Sequence, residues 1–186
     1  MPADSRPGLS IGLFGPPSAA PPSVAFLVSR LGLEVGNRLA EGLAPLGIEP
    51  RHFGLLRMLS VSEGQSQRAI GEALDIHPNR MVALVDDLER LRLVQRRPHP
   101  SDRRAYALVL TDKGKRVLQK AFEVAFQIEQ DLCAGLEPAE RTQLLSLLGK
   151  LRPLYEGPPG VHPGLSGQPS PVNSKRLLGK TEAGAD

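Results

Sequence analysis

The feature that most constrains this chain is a change of apolar period between Pro78 and Leu110. From Pro78 to Leu91, apolar residues fall at Met81, Leu84, Val85, Leu88 and Leu91, one stripe of a helix. Leu93-Val94-Gln95-Arg96-Arg97 and Ala105-Tyr106-Ala107-Leu108-Val109-Leu110 are instead short runs compatible with strands. Between them lies Pro98-His99-Pro100-Ser101-Asp102-Arg103-Arg104, which predicts a hairpin with a long basic tip. A shorter helix is predicted just before, after Gln65-Ser66 and through Ala69, Ile70 and Leu74, with Ser66 suited to cap it. Asp75-Ile76-His77 reads as the tight turn between the two helices, because Pro78 fits a first helical turn and disfavours helical angles just before it.

The flanks of this unit also read as helix. Val24, Leu27, Leu31, Val35 and Leu39 recur at helical spacing from a possible cap at Ser23, until Pro45 and Gly47 stop the run. A second helix starts after Pro50, with Phe53, Leu55, Leu56 and Leu59. Thr111-Asp112 caps a long helix bearing Val117, Leu118, Ala121, Phe122, Ala125, Ile128 and Leu132. A last helix after Glu137-Pro138 carries Leu144, Leu145, Leu147, Leu148 and Leu151. The expected fold is mainly α with a small β-hairpin wing: a winged helix-turn-helix core plus long helices forming a dimerisation region.

Composition sets the boundaries. Of 186 residues 37 are Gly or Pro, and 20 of these fall in residues 1–22 and 156–186, which therefore read as disordered tails around one domain at 23–155. A single cysteine, Cys133, excludes an intramolecular disulfide framework, reads as buried packing, and fits a reducing, cytoplasmic setting. No apolar run suggests a signal peptide or a membrane span. His52, His77, His99 and His162 are scattered without metal-ligand spacing, and no nucleophile elbow or phosphate-binding glycine loop is present. The expectation is therefore no metal, no cofactor and no catalytic site.

A net charge of +3 and a pI near 9.3 do not by themselves identify a nucleic-acid binder. The distribution is more telling. Arg90, Arg92, Arg96, Arg97, Arg103 and Arg104 crowd residues 90–104 with His99, against one acid, Asp102. Arginines at a ribbon tip suit a narrow minor groove, and Asp102 suits a support that aims Arg104. On the helix before, the apolar stripe leaves Asn79, Ala83, Asp86 and Arg90 on the opposite side. Asn79 matches adenine, Arg80 matches guanine, and Val82 and Ala83 can approach a thymine methyl. Asp86 and Asp87 would repel phosphate, so only the first two turns are expected deep in a major groove.

The chain resembles the MarR family of bacterial transcriptional regulators. The likeness rests on the run from His77 to Glu89, HPNRMVALVDDLE, and more specifically on the run from Ser101 to Gly114, SDRRAYALVLTDKG, which matches the family's wing signature and Leu-Thr-x-x-Gly helix start. It spans about residues 23–155. It implies an obligate homodimer, a wing arginine at Arg104 supported by Asp102, and recognition-helix contacts from Asn79, Arg80 and Val82, and His77 before them is expected in the same DNA-binding set. It also implies phosphate contacts near Ser66, Gln67, Arg96 and Arg97, with Arg103 at the tip. A small aromatic or phenolic effector is implied in a cleft near Phe26, Arg51, His52 and Phe53. The same four residues also fit a plainer reading, with Phe26 and Phe53 in the core and Arg51-His52 on the surface. Where the family commonly closes the recognition helix with glycine this chain has Arg92, so that either the turn differs or strain is accepted for one more phosphate contact.

The expected partners are a second copy of the chain and double-stranded DNA, without a membrane. Two-fold symmetry would set the recognition helices about 34 Å apart on a pseudo-palindromic operator. The alternative is a winged-helix module that docks its arginines on an acidic protein.

Overall fold

The computed structural model describes residues 23–99 and 105–151. The chain runs α1 (Val24–Leu43), a 3-10 turn (Ala44–Leu46), α2 (Pro50–Val61), α3 (Gln67–Ala73), α4 (Pro78–Arg90), β1 (Val94–Pro98), β2 (Tyr106–Leu110), α5 (Asp112–Leu132) and α6 (Pro138–Leu151). This is the expected order with one addition: the chain tightens into the 3-10 turn before Gly47, at φ 71°, redirects it. The strands are antiparallel, with Val94 opposite Leu110 and Pro98 opposite Tyr106. A third segment supports them through a bridge from Ser66 to Ala107, where Leu108 N–H donates to Gln65 C=O at 3.1 Å.

Local chemistry explains most helix ends. Ser23, Ser66 and Thr111 accept from the backbone N–H three residues on, at 3.2, 3.1 and 2.9 Å, and so cap α1, α3 and α5. Both α3 and α4 stop in the same way. Asp75 and Arg92 take left-handed φ of 52° and 59°; the next N–H reaches back to Gly71 C=O after α3 and to Leu88 C=O after α4, each at 2.9 Å. The turn at Arg92 therefore takes the left-handed conformation that favours glycine, with an arginine in it. It lies at the end of α4 opposite Asn79, about 18 Å along the helix axis at 1.5 Å per residue. That separation places Arg92 against the start of α5, where Thr111 Oγ1 donates to its C=O at 2.7 Å, and away from the N-terminal end of α4.

The core is the winged unit. Leu55, Leu56, Leu59, Ile70, Leu74, Met81, Val85, Leu88, Leu93 and Leu108 are buried together, and α5 adds Leu118 and Ala121. The outer helices are different. Of α1 only Leu43 is buried, and of α6 nothing is. Leu27, Leu31, Phe122, Phe126, Leu145 and Leu147 all stand exposed. Cys133, expected to be buried, is the half-buried C-cap of α5, with Sγ 3.9 Å from the Glu129 carboxylate.

Candidate nucleic-acid interface

Helix α4 separates its two faces cleanly. Met81, Leu84, Val85 and Leu88 are buried, while His77, Pro78, Asn79, Arg80, Val82 and Ala83 are exposed at its N-terminal end. His77 serves first as a cap: its Nδ1 accepts from Asn79 N–H at 3.3 Å, which satisfies one of the helix's open donors. The cap and the left-handed turn at Asp75 hold that end of α4 against α3. An open groove of about 750 Å³ runs beside it, bordered by Ser66, Gln67, Arg68, Pro78, Val82 and Tyr106. Arg68 and Tyr106 were not singled out in the sequence. Arg68 stands in no motif, and Tyr106, within the wing signature, is brought opposite α3 only by the folded wing.

The basic patch is less uniform than its composition. Arg97 is exposed on β1, and the Gln95 amide oxygen, in the orientation its hydrogen bonding requires, accepts from Arg97 Nε at 3.1 Å. Arg90 pairs with Asp87 at 2.8 Å. Arg96, expected at phosphate, is instead largely enclosed by protein groups. Its Nη2 lies 2.7 Å from Asp86 Oδ1, its Nη1 pairs with Glu89 Oε2, and its Nε donates to Gln67 Oε1 at 3.0 Å. The Arg96 backbone N–H also donates to Glu89 Oε1, at 2.8 Å. Asp102, Arg103 and Arg104 lie outside the described residues.

The residues expected around an effector divide. Arg51 is exposed and pairs with Glu49 at 3.0 Å, and it stands 3.7 Å from Asp87. His52 is buried, which corrects the surface reading. Its Nδ1 accepts from Glu49 N–H at 3.0 Å as part of a capping box, so the neutral ring carries its proton on Nε2. That Nε2 has no hydrogen-bond partner; Asp87 Oδ2 is 3.9 Å away, beyond bonding distance. Burial, and then the charge of Arg51, hold the His52 pKa below 6.5 against the opposing pull of Glu49 and Asp87. Phe53 is half-buried and meets Phe122 edge to face at 5.4 Å, while Phe26 is exposed beneath Arg30. Among the described residues no group of three His, Cys, Asp or Glu side chains could hold a metal, and no helix is long and apolar enough to cross a membrane.

Two helices in a tight turn, a backing strand contact and a hairpin define a winged helix-turn-helix, a fold built to present one helix to DNA. The MarR family model matches residues 46–105, from the end of the 3-10 turn through α2, α3, α4 and β1 to the residue before β2. A protein of Thauera aromatica named for regulation of the hcr operon is 34% identical over 105 residues, covering 56% of this chain and 63% of that protein. The transcriptional repressor CouR, solved on a 23-mer DNA duplex, is 33% identical with a TM-score of 0.62, over 69% of this chain and 92% of that one. The Mycobacterium tuberculosis MarR-family protein Rv2887, solved with salicylic acid, is 27% identical with a TM-score of 0.55, over 72% and 98%. This chain belongs to the MarR family of transcriptional regulators.

Proposed function

We propose that the protein is a homodimeric repressor that binds a pseudo-palindromic operator and leaves it when a small aromatic or phenolic anion binds. The observation that carries this reading is α4, whose inner face is core and whose N-terminal end offers Asn79, Arg80, Val82 and Ala83 to solvent beside a groove. Asn79 and Arg80 suit bidentate contacts with adenine and guanine, and Val82 and Ala83 suit thymine methyls. Ser66 and Gln67 border that groove and suit phosphate, as do His77 at the α4 cap and the exposed Arg97; by their sequence Arg103 and Arg104 suit a narrow minor groove, with Asp102 as the support of Arg104. The repressor role follows CouR, which is named as one.

The dimer is supported by the large apolar side chains that α1, α5 and α6 leave exposed, among them Leu27, Leu31, Phe126 and Leu145, which a second copy would bury. The effector is supported by the unpartnered His52 Nε2–H, which shares the neighbour Asp87 with Arg51, and by the Phe53–Phe122 pair between α2 and α5. A carboxylate can take the place of Glu49 on the exposed Arg51, a ring can stack, and Rv2887 was solved with salicylic acid.

DNase footprinting on the DNA flanking the protein's own gene, at near-physiological salt with excess nonspecific competitor, tests both parts. The expected result is a two-fold symmetric protected stretch that fades as salicylate is added. Protection that is unsymmetrical, or lost with salt alone, contradicts the operator-binding dimer and favours docking on an acidic protein. Protection indifferent to salicylate and related phenolic acids contradicts the effector.

A further inference from the structure

We propose that Arg96 is a positioning residue that locks the recognition helix, α3 and the wing into one body, and that Glu89 and Asp86 are its partners in this. The proposal rests on the DNA-binding reading above and changes the part Arg96 plays in it. One guanidinium, 21% exposed, meets groups from two other elements: Asp86 and Glu89 of α4 and Gln67 of α3. Glu89 grips both the side chain and the backbone N–H of Arg96, so that the start of β1 is held at a fixed distance from α4.

Charge decides against a phosphate contact. One arginine between two carboxylates leaves a local charge of −1, so the cluster offers a DNA backbone no net attraction. Geometry then gives the cluster a different use. Only a planar fork can serve two carboxylates and an amide oxygen at once, and lysine cannot replace it there. Because Arg96 Nε engages Gln67 Oε1, the Gln67 amide is left with its NH₂ as the free end, a donor suited to phosphate. The two acids that looked unfavourable on a DNA-reading helix are accounted for by the same argument: their charge is directed to the wing.

The test compares wild type with Arg96→Lys, Glu89→Gln and the double variant. Affinity for the operator duplex is measured from about 50 to 200 mM salt, with melting curves as a folding control. A loosened cluster that holds the binding geometry about a tenth of the time weakens binding about tenfold. The expected result is a loss of that size in each single variant, no further loss in the double, and an unchanged salt slope. Wild-type affinity in Arg96→Lys overturns the proposal, since lysine keeps a phosphate contact. So does tighter binding by Glu89→Gln, the outcome when an acid merely repels DNA. If wild type selects no DNA, the proposed function fails on its own. Hydrogen exchange then decides the strut: faster exchange of the hairpin amides in Arg96→Lys supports it, and unchanged exchange overturns it.

Discussion

Single residues carry much of the geometry, and the wing-to-α5 junction shows how. A β-carbon on Gly114 would overlap the Leu93 carbonyl oxygen, while Thr111 Oγ1 accepts from Gly114 N–H and donates to the Arg92 carbonyl. The Leu-Thr-x-x-Gly run is thus a steric requirement as well as a helix cap. Gly114→Ala is expected to cost about 3 kcal/mol, read as a lower urea midpoint. Arg92→Gly should move the other way. It relieves a left-handed φ of 59° and gains up to ~1 kcal/mol, offset in part by glycine's greater freedom when unfolded. His52 adds a pH term. Its folded pKa lies below 6.5, so the unfolded chain binds the extra proton first; stability is complete above about pH 6.5 and falls as pH drops toward the folded pKa. Urea midpoints at about pH 7.5 and 5 should therefore fall further in wild type than in His52→Gln. An equal fall in both contradicts the assignment to His52.

At the scale of elements, α3 and α4 depend on their ends. Helix α3 has seven residues, too few to persist alone, and its Ser66 both caps it and bridges to Ala107 of the wing. Ser66→Ala should cost about 1 kcal/mol of stability. Asn79→Ala should leave stability nearly unchanged and relax base preference at one operator position by ~1 to 3 kcal/mol, read by competition among duplexes altered at that position. The helices and strands were legible because each has its own periodicity and punctuation: Ser66 and Thr111 as caps, Pro50, Pro78 and Pro138 at helix starts. What sequence order hid are contacts between distant segments. Arg96 reaches Gln67 across 29 positions, and Ser66 reaches Ala107 across a longer gap, so neither local pattern hints at the other. The burial of His52 was hidden for the same reason, because α4, whose Asp87 comes within 3.9 Å of its Nε2, meets it only when α2 packs on α4.

Taken as a whole, the described residues form one buried core and an apolar outer surface that this core does not cover. Leu145 of α6 is 62% exposed and α6 buries nothing within its own chain, so changing it should spare the fold and break the assembly. Two-fold symmetry counts each loss twice: burying a leucine is worth ~1.5 to 3 kcal/mol, so Leu145→Glu should raise the dimer dissociation constant more than about a hundredfold. Sedimentation equilibrium reads this directly; an unaltered dimer places the interface elsewhere. The central claim is that α4 reads DNA from a symmetric dimer. It is tested most directly by selecting duplexes from a random-sequence pool with the full chain at near-physiological salt. The account predicts an enriched pseudo-palindrome with half-sites roughly 10 base pairs apart, whose preference shifts at one position in Asn79→Ala. A pool that shows no enriched sequence, or a site without two-fold symmetry, would contradict it.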